Sequence, residues 1–240
     1  MHNCWAYYPG PGKSRERPEP LREHLVNVAI GIMTHMDFHR IIKKISREYG
    51  IDDKDIHDIG FLVGLLHDIG KALKKYQEPP GPHFPGHEVY SAFIIHSALI
   101  NAGLNNPDNE TVKRLILYPI LLHHYAQRDS VEEIYMKVMY EVLNRNNPIA
   151  ELHDECLNDV TNILEYAMNI VRSEFAMQLI KTLQDDTHDG KLNLAALDND
   201  PFNPLKIIVK IEEWFGVMAL TGLLNEVDGK VAMRARRGRA

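Results

Sequence analysis

Apolar residues recur at three- and four-residue intervals along almost the whole chain, and nowhere do they alternate with polar ones over a strand-length run. Leu21, Leu25, Val28 and Ile32 form the first such series. A stripe of this period buries one face of an α-helix, so the chain is expected to be all-α, a compact helical bundle. Glycines and capping residues punctuate it. A helix from about Arg40 to Tyr49 stops at Gly50, and Asp52 or Asp53 opens one that runs through FLVGLLHDI to Gly70. QEPPGPHFPG (77–86) is a Pro/Gly loop and a candidate lid, and HEVYSAFIIHSALINAG after it reads as a helix closed by Gly103. Asn109 or Thr111 opens a helix through LILYPILLHHY, which Pro119 should kink. Further helices are expected at 131–145, 149–184 (with a break allowed) and 204–227. A chain of 240 residues suits one domain, here 21–230, between a Pro-rich segment 1–20 and a basic tail 231–240.

Composition narrows the function. A net charge of -6 and a pI near 6.1 exclude a protein that coats nucleic acid through a broad basic surface, so a polyanion must be held locally. Bound cations could supply that local charge, and the run Arg234, Arg236, Arg237 and Arg239 could add to it, although terminal basic runs are commonly just solvated. Cys4 and Cys156 are too few for a disulfide framework and offer no CxxC spacing, which fits a reducing cytoplasm. The first twenty residues carry four prolines and no apolar core segment, so neither export nor a membrane anchor is expected.

The chemistry sits in histidines and aspartates placed on apolar stripes. His24 follows Leu21 by three and precedes Val28 by four, so it points inward. His87 shares a face with Tyr90, Ser91 and Ile94; His123 follows Ile116 and Ile120; Asp228 follows Thr221 and Leu224. A buried aspartate is costly unless paired or bound to metal, so Asp228 calls for a cation facing it. In Leu65-Leu66-His67-Asp68-Ile69-Gly70-Lys71, neighbours on a helix diverge by about 100°. His67 can therefore serve one ion while the two oxygens of Asp68 reach a second. His123-His124 is another adjacent pair. Imidazoles with carboxylates suit Mn, Fe, Ni, Co or Zn, with Mg also a candidate. Two such ions would activate water and clamp a phosphodiester, and Lys71 could neutralise charge on the phosphoryl oxygens.

The His-Asp dipeptide alone says little, because it occurs at 57, 67, 153 and 188, and even His-Asp-Ile-Gly occurs twice, at 57–60 and 67–70. His57 lies in the acidic stretch DDKDIHD and reads as a surface echo. His153, which shares a face with Cys156, Leu157 and Val160, is a competitor but reads rather as a satisfied core or interface histidine, as does His96; His35, His39, His83 and His188 read as surface residues. Gly12-Lys13-Ser14 ends like a phosphate-binding loop, but Tyr7 stands where its first glycine belongs, so no ATP site is expected.

The ordered series Leu21-xx-His24-Leu25-xx-Val28-Ala29, LLHDIGK (65–71), His87-Glu88-xx-Ser91-Ala92, His123-His124 and Asp228 resembles the HD nuclease of type I CRISPR interference, over roughly residues 20 to 230. The resemblance implies an HD-domain bundle with a dinuclear metal site in its core. It implies that His24, His67, Asp68 and Asp228 hold one ion, and that Asp68, His87, His123 and His124 hold the other. It further implies single-stranded DNA, or RNA, as substrate. No helicase motif is present, so the chain resembles the stand-alone nuclease that works beside a separate helicase subunit and the RNA-guided surveillance complex. Two rivals remain. An HD phosphohydrolase of small or cyclic nucleotides would use the same residues, but in the cyclic-dinucleotide enzymes the paired histidines are followed by Gly-Tyr-Pro, where this chain has Tyr-Ala-Gln. A helical scaffold with structural histidines would show no turnover.

Overall fold

The computed structural model describes residues 4–10, 13, 16–78, 83–124, 149–194 and 214–237, together with 133, 137, 138 and 140. The fold is all-α. Its principal helices are α1 (Leu21–Met33), α2 (Phe38–Tyr49), α3 (Asp53–Leu66), α4 (Lys74–Gln77), α5 (His87–Asn101), α6 (Glu110–Leu122), α7 (Asp154–Ile170), α8 (Glu174–Thr187) and α9 (Phe215–Arg237). Helix α3 packs on α1 and α6, α5 on α6 and α8, and α9 on α1 and α6, so α3 and α5 form the inside of the bundle. Both are buried around their whole circumference, from Asp58 to Leu66 and from His87 to Leu99, as fits a helix enclosed by others.

Most helix ends follow the local chemistry. Asp52 caps α3 by accepting the amide of Lys54 at 2.8 Å, and Gly50 ends α2 with a left-handed φ of 67°. The α1–α3 contact depends on Gly64, where a Cβ would lie 2.8 Å from the Ala29 Cα.

Several expectations change. Helix α3 stops at Leu66, and Ile69–Ala72 forms a 3₁₀ turn instead of the last turn of the helix. The Gly70 amide donates to Ser91 Oγ at 2.9 Å, and a Cβ at Gly70 would overlap the His87 carbonyl, so this turn is set by its contact with α5. The break allowed within 149–184 falls between α7 and α8, but the stretch opens on a strand: Ile149–Glu151 pairs antiparallel with Lys191–Asn193. The helix expected to end near 227 continues to Arg237, with Ala232 buried. The helix expected at 131–145 falls mostly outside the described residues, as does the centre of the candidate lid.

The N-terminal segment forms a short antiparallel pair, β1 (Trp5–Tyr7) with β2 (Glu19–Pro20). Strands this short leave no alternating pattern to read. Contrary to the reading of the two cysteines as those of a chain in reducing surroundings, a disulfide joins Cys4 to Cys156 of α7, 152 residues apart, with both side chains fully buried. The Leu21 amide donates to the Cys4 carbonyl at 3.0 Å, and Gln77 brackets Trp5, accepting its amide and donating to its carbonyl. The segment is thus stitched to α1, α4 and α7. Among the described residues no helix is long and apolar enough to cross a membrane.

Candidate metal centre

Helix α1 supplies His24, the end of α3 supplies His67 and Asp68, the first residue of α5 is His87, the end of α6 supplies His123 and His124, and α9 supplies Asp228. All seven come together. Ligand-capable atoms of Asp68, His87, His123 and His124 lie within 4.8 Å of one another, and so do those of His24, His67 and Asp228. Asp68 stands between the groups. Its Oδ2 is 3.4 Å from both His24 Nε2 and His67 Nε2, while its Oδ1 is 2.7 Å from His87 Nε2 and 3.3 Å from His123 Nε2. Asp228 Oδ1 lies 3.2 Å from His24 Nε2 and 3.9 Å from His67 Nε2. His67 ends α3 with helical angles and Asp68 follows with φ -111° and ψ 13°, outside the helix.

The donor set fits cations. Asp68 Oδ1, His87 Nε2, His123 Nε2 and His124 Nδ1 are buried without a hydrogen-bond partner. His87 Nε2 and Asp68 Oδ1 are close but not aligned as donor and acceptor: their lone pairs converge on shared space. The far side of each ring is fixed. His67 Nδ1 bonds the Gly64 carbonyl at 2.9 Å, His87 Nδ1 that of Phe84 at 2.5 Å, and His123 Nδ1 that of Ile120 at 2.5 Å. Each ring therefore keeps its proton on Nδ1 and turns its Nε2 inward, the arrangement that orients a metal-bound histidine.

Electrostatics agree. Burial keeps the His87 and His124 imidazoles from protonating, Lys71 adding to the effect at both, and neutral imidazole is the form that binds metal. Burial alone would raise the carboxyl pKa of Asp68, but Lys71, His67 and His87 outweigh it and hold Asp68 ionised. Asp228 is likewise held ionised, burial being overcome by His24. At His24 burial is outweighed by Asp228, Asp68 and Glu19, which lift its pKa well above the ordinary value.

Lys71 belongs to the same cluster, its Nζ 2.5 Å from Asp68 Oδ2 and its side chain 11% exposed. Among the described residues the other histidines stay outside the cluster. His39, His83 and His188 are exposed, His35 faces Glu226, and His153 caps α7 by accepting the Glu155 amide. Of the echo at 57–58, His57 is half-exposed, but Asp58 is buried and structural. One residue was missed: Glu19, buried on β2, meets His24 Nδ1 at 2.8 Å. It lies outside any helix, so no helical spacing could have revealed it.

The family model for the HD domain matches residues 21–143, just over half of the chain. The chain belongs to the HD domain family. Members of that family are metal-dependent phosphohydrolases, and the buried His/Asp cluster fits a metal site. The match includes every cluster residue except Asp228, which α9 brings in from outside the matched span. No curated protein matches the sequence significantly.

Proposed function

We propose that this HD-domain protein is a nuclease that hydrolyses phosphodiester bonds of single-stranded DNA, with RNA a second substrate, by two-metal-ion catalysis. We further propose that it acts in the cytoplasm, beside a separate helicase subunit and an RNA-guided surveillance complex in type I CRISPR interference. The observation that carries the two-ion reading is the division of Asp68, one oxygen toward His87 and His123 and the other toward His24 and His67. The nuclease reading is supported by the order and spacing of the ligand residues, and by Tyr-Ala-Gln after His123-His124 in place of Gly-Tyr-Pro.

Divalent ions bound in these groups would supply Lewis acidity toward a phosphoryl oxygen and lower the pKa of water for in-line attack. The chain's own residues do the rest. Asp68 and Asp228 hold negative charge that keeps the cations in place. Lys71 lies against Asp68 and counters charge that grows on the non-bridging phosphoryl oxygens. His124 and the Asp228 side chain are only partly buried, the latter 17% exposed, and mark the side from which a strand reaches the site.

The deciding experiment offers metal-stripped protein, resupplied with Mg, Mn, Ni or Co, circular single-stranded DNA, duplex DNA and nucleoside triphosphates in parallel, with His67→Ala as control. Metal-dependent loss of the single-stranded circle, absent in the variant, is the expected result. Turnover confined to small or cyclic nucleotides would replace the nuclease with a small-nucleotide phosphohydrolase.

A further inference from the structure

Four imidazoles of the centre have their Nδ1 hydrogen bonded, and three of them use a backbone carbonyl three residues earlier. Those three sit where a carbonyl is within reach: His67 and His123 just past the ends of α3 and α6, and His87 at the start of α5 below the Phe84 carbonyl. The last carbonyls of a helix have no partner within it, and the Phe84 carbonyl takes only the 3.4 Å contact of the His87 amide besides. His24 is placed differently. It lies in the first turn of a 13-residue helix, where the carbonyls behind it accept the helix's own amides. Its ring cannot be fixed from its own helix, and an acceptor must come from elsewhere.

That acceptor is Glu19. Its Oε1 lies 2.8 Å from His24 Nδ1, and both side chains are 3% exposed. Its other oxygen, Oε2, is buried without a hydrogen-bond partner. A carboxylate so buried is costly unless compensated, and the nearby compensation is positive charge reached through His24. The strap around Glu19 is held at several points: Tyr7 opposite Glu19 in the β1–β2 pair, the Cys4–Cys156 disulfide, the Leu21 amide on the Cys4 carbonyl, and Gln77 on Trp5. Glu19 also lies just before the residues that the HD-domain family matches.

We propose that Glu19 is a positioning residue of the centre. It accepts a hydrogen bond from the Nδ1–H of His24, fixes the ring with Nε2 toward Asp68 and Asp228, and increases its strength as a ligand for the cation held by His24, His67 and Asp228. The N-terminal strap, with its disulfide, is then the device that delivers this carboxylate. The inference rests on the reading of the cluster as a two-ion centre.

Calorimetric titration of Mn into metal-stripped full-length protein tests it, with the apo melting temperature recorded alongside. Wild type is expected to show two binding steps. Glu19→Ala should weaken one step by roughly 10–100-fold, the usual effect of removing a partner that orients a metal-bound histidine, and leave the other step unchanged. Glu19→Gln still offers a carbonyl oxygen to Nδ1–H and should recover most of the lost affinity. Two steps of wild-type strength in Glu19→Ala would overturn the proposal. So would equal weakening of both steps with a large fall in apo melting temperature, the pattern of a merely structural role. A wild-type protein that binds no divalent ion would instead remove the two-ion reading itself.

Discussion

Asp58 Oδ2 accepts the backbone amide of Ser173 at 2.6 Å and that of Arg172 at 2.7 Å. Ser173 is the N-cap of α8, so the carboxylate of the first His-Asp-Ile-Gly anchors a helix start 115 residues away. The two copies of one tetrapeptide therefore do different work: at 67–70 the aspartate faces the metal centre, at 57–60 it closes a helix terminus. Asp58→Ala should cost about 2–3 kcal/mol, from two charge-assisted hydrogen bonds at a helix start. For a chain of this size that lowers the melting temperature by roughly 5–10 °C. Metal content should stay at the parent value. His57→Ala, at a half-exposed ring, should leave both melting and turnover close to the parent. Metal lost from either variant would show that the 57–58 pair takes part in the centre.

Asp68 is the residue whose two oxygens face different groups, and Asp68→Asn tests that division. An amide nitrogen cannot serve as a ligand as the carboxylate oxygen does. Inductively coupled plasma mass spectrometry of the purified variant should find fewer ions per chain than in wild type. Turnover should fall by at least roughly 100-fold, since even the outer partners of metal ligands are worth 10–100-fold. Full metal content with normal turnover would sink the bridging role.

How far these residues could be read in the sequence depended on where each sits. His24, His87, His123 and Asp228 were legible because each interrupts an apolar stripe of helical period, and a polar group there demands a partner. The end of α3 was not: the break at Leu66 comes from the contact of Gly70 with Ser91 and the His87 carbonyl, a tertiary contact that local pattern does not encode. Asp58 was hidden in an acidic stretch that resembles a solvated surface, because its partners lie more than a hundred residues away. Glu19 and the Cys4–Cys156 bond were invisible for the same reason, being products of a non-local docking of the first twenty residues.

Lys71 stands close enough to Asp68 to have either of two roles, counter-charge for the carboxylate or electrostatic support for the transition state. Lys71→Met separates them. With cations bound to Asp68 the lysine is dispensable for holding metal, so ion content should remain at the wild-type value while kcat falls by about 10²–10³-fold, the usual cost of losing one such electrostatic contact. An unchanged kcat would confine Lys71 to balancing Asp68 in the metal-free protein.

The disulfide between Cys4 and Cys156 closes a loop of 152 residues. In the chain-entropy account a loop this long gives about 5 kcal/mol, and removal of native disulfides typically costs about 2–5 kcal/mol. Cys4→Ser should therefore melt well below wild type. Both sulfurs are fully buried, so native protein should show no thiol to a thiol reagent until it is unfolded and reduced. The compartment can be read in the same assay. Disulfides persist in oxidising surroundings, and protein trapped with alkylating agent at lysis shows whether the bond forms in the cytoplasm. Two alkylated cysteines in active, trapped protein would make the bond dispensable there.

His96 provides a pH test away from the metal centre. Burial pushes its imidazole down to about 4, with Lys113 adding to the effect and Glu110 opposing it. In the unfolded chain the same group titrates near 6.5. Between these two values the unfolded state holds a proton that the folded state refuses, so stability rises with pH across the window and is lost as pH falls from about 6.5 toward 4. The loss from this group reaches about 3 kcal/mol at the acid end. Urea melts of metal-stripped protein at intervals from pH 7 to pH 4 should show wild type losing stability more steeply than His96→Leu. The substitution shifts the baseline as well, since Leu differs in shape and polarity, so the slope decides. Parallel slopes in the two proteins would mean that His96 takes up its proton as readily folded as unfolded, and that the acid sensitivity of the fold lies with the other buried groups.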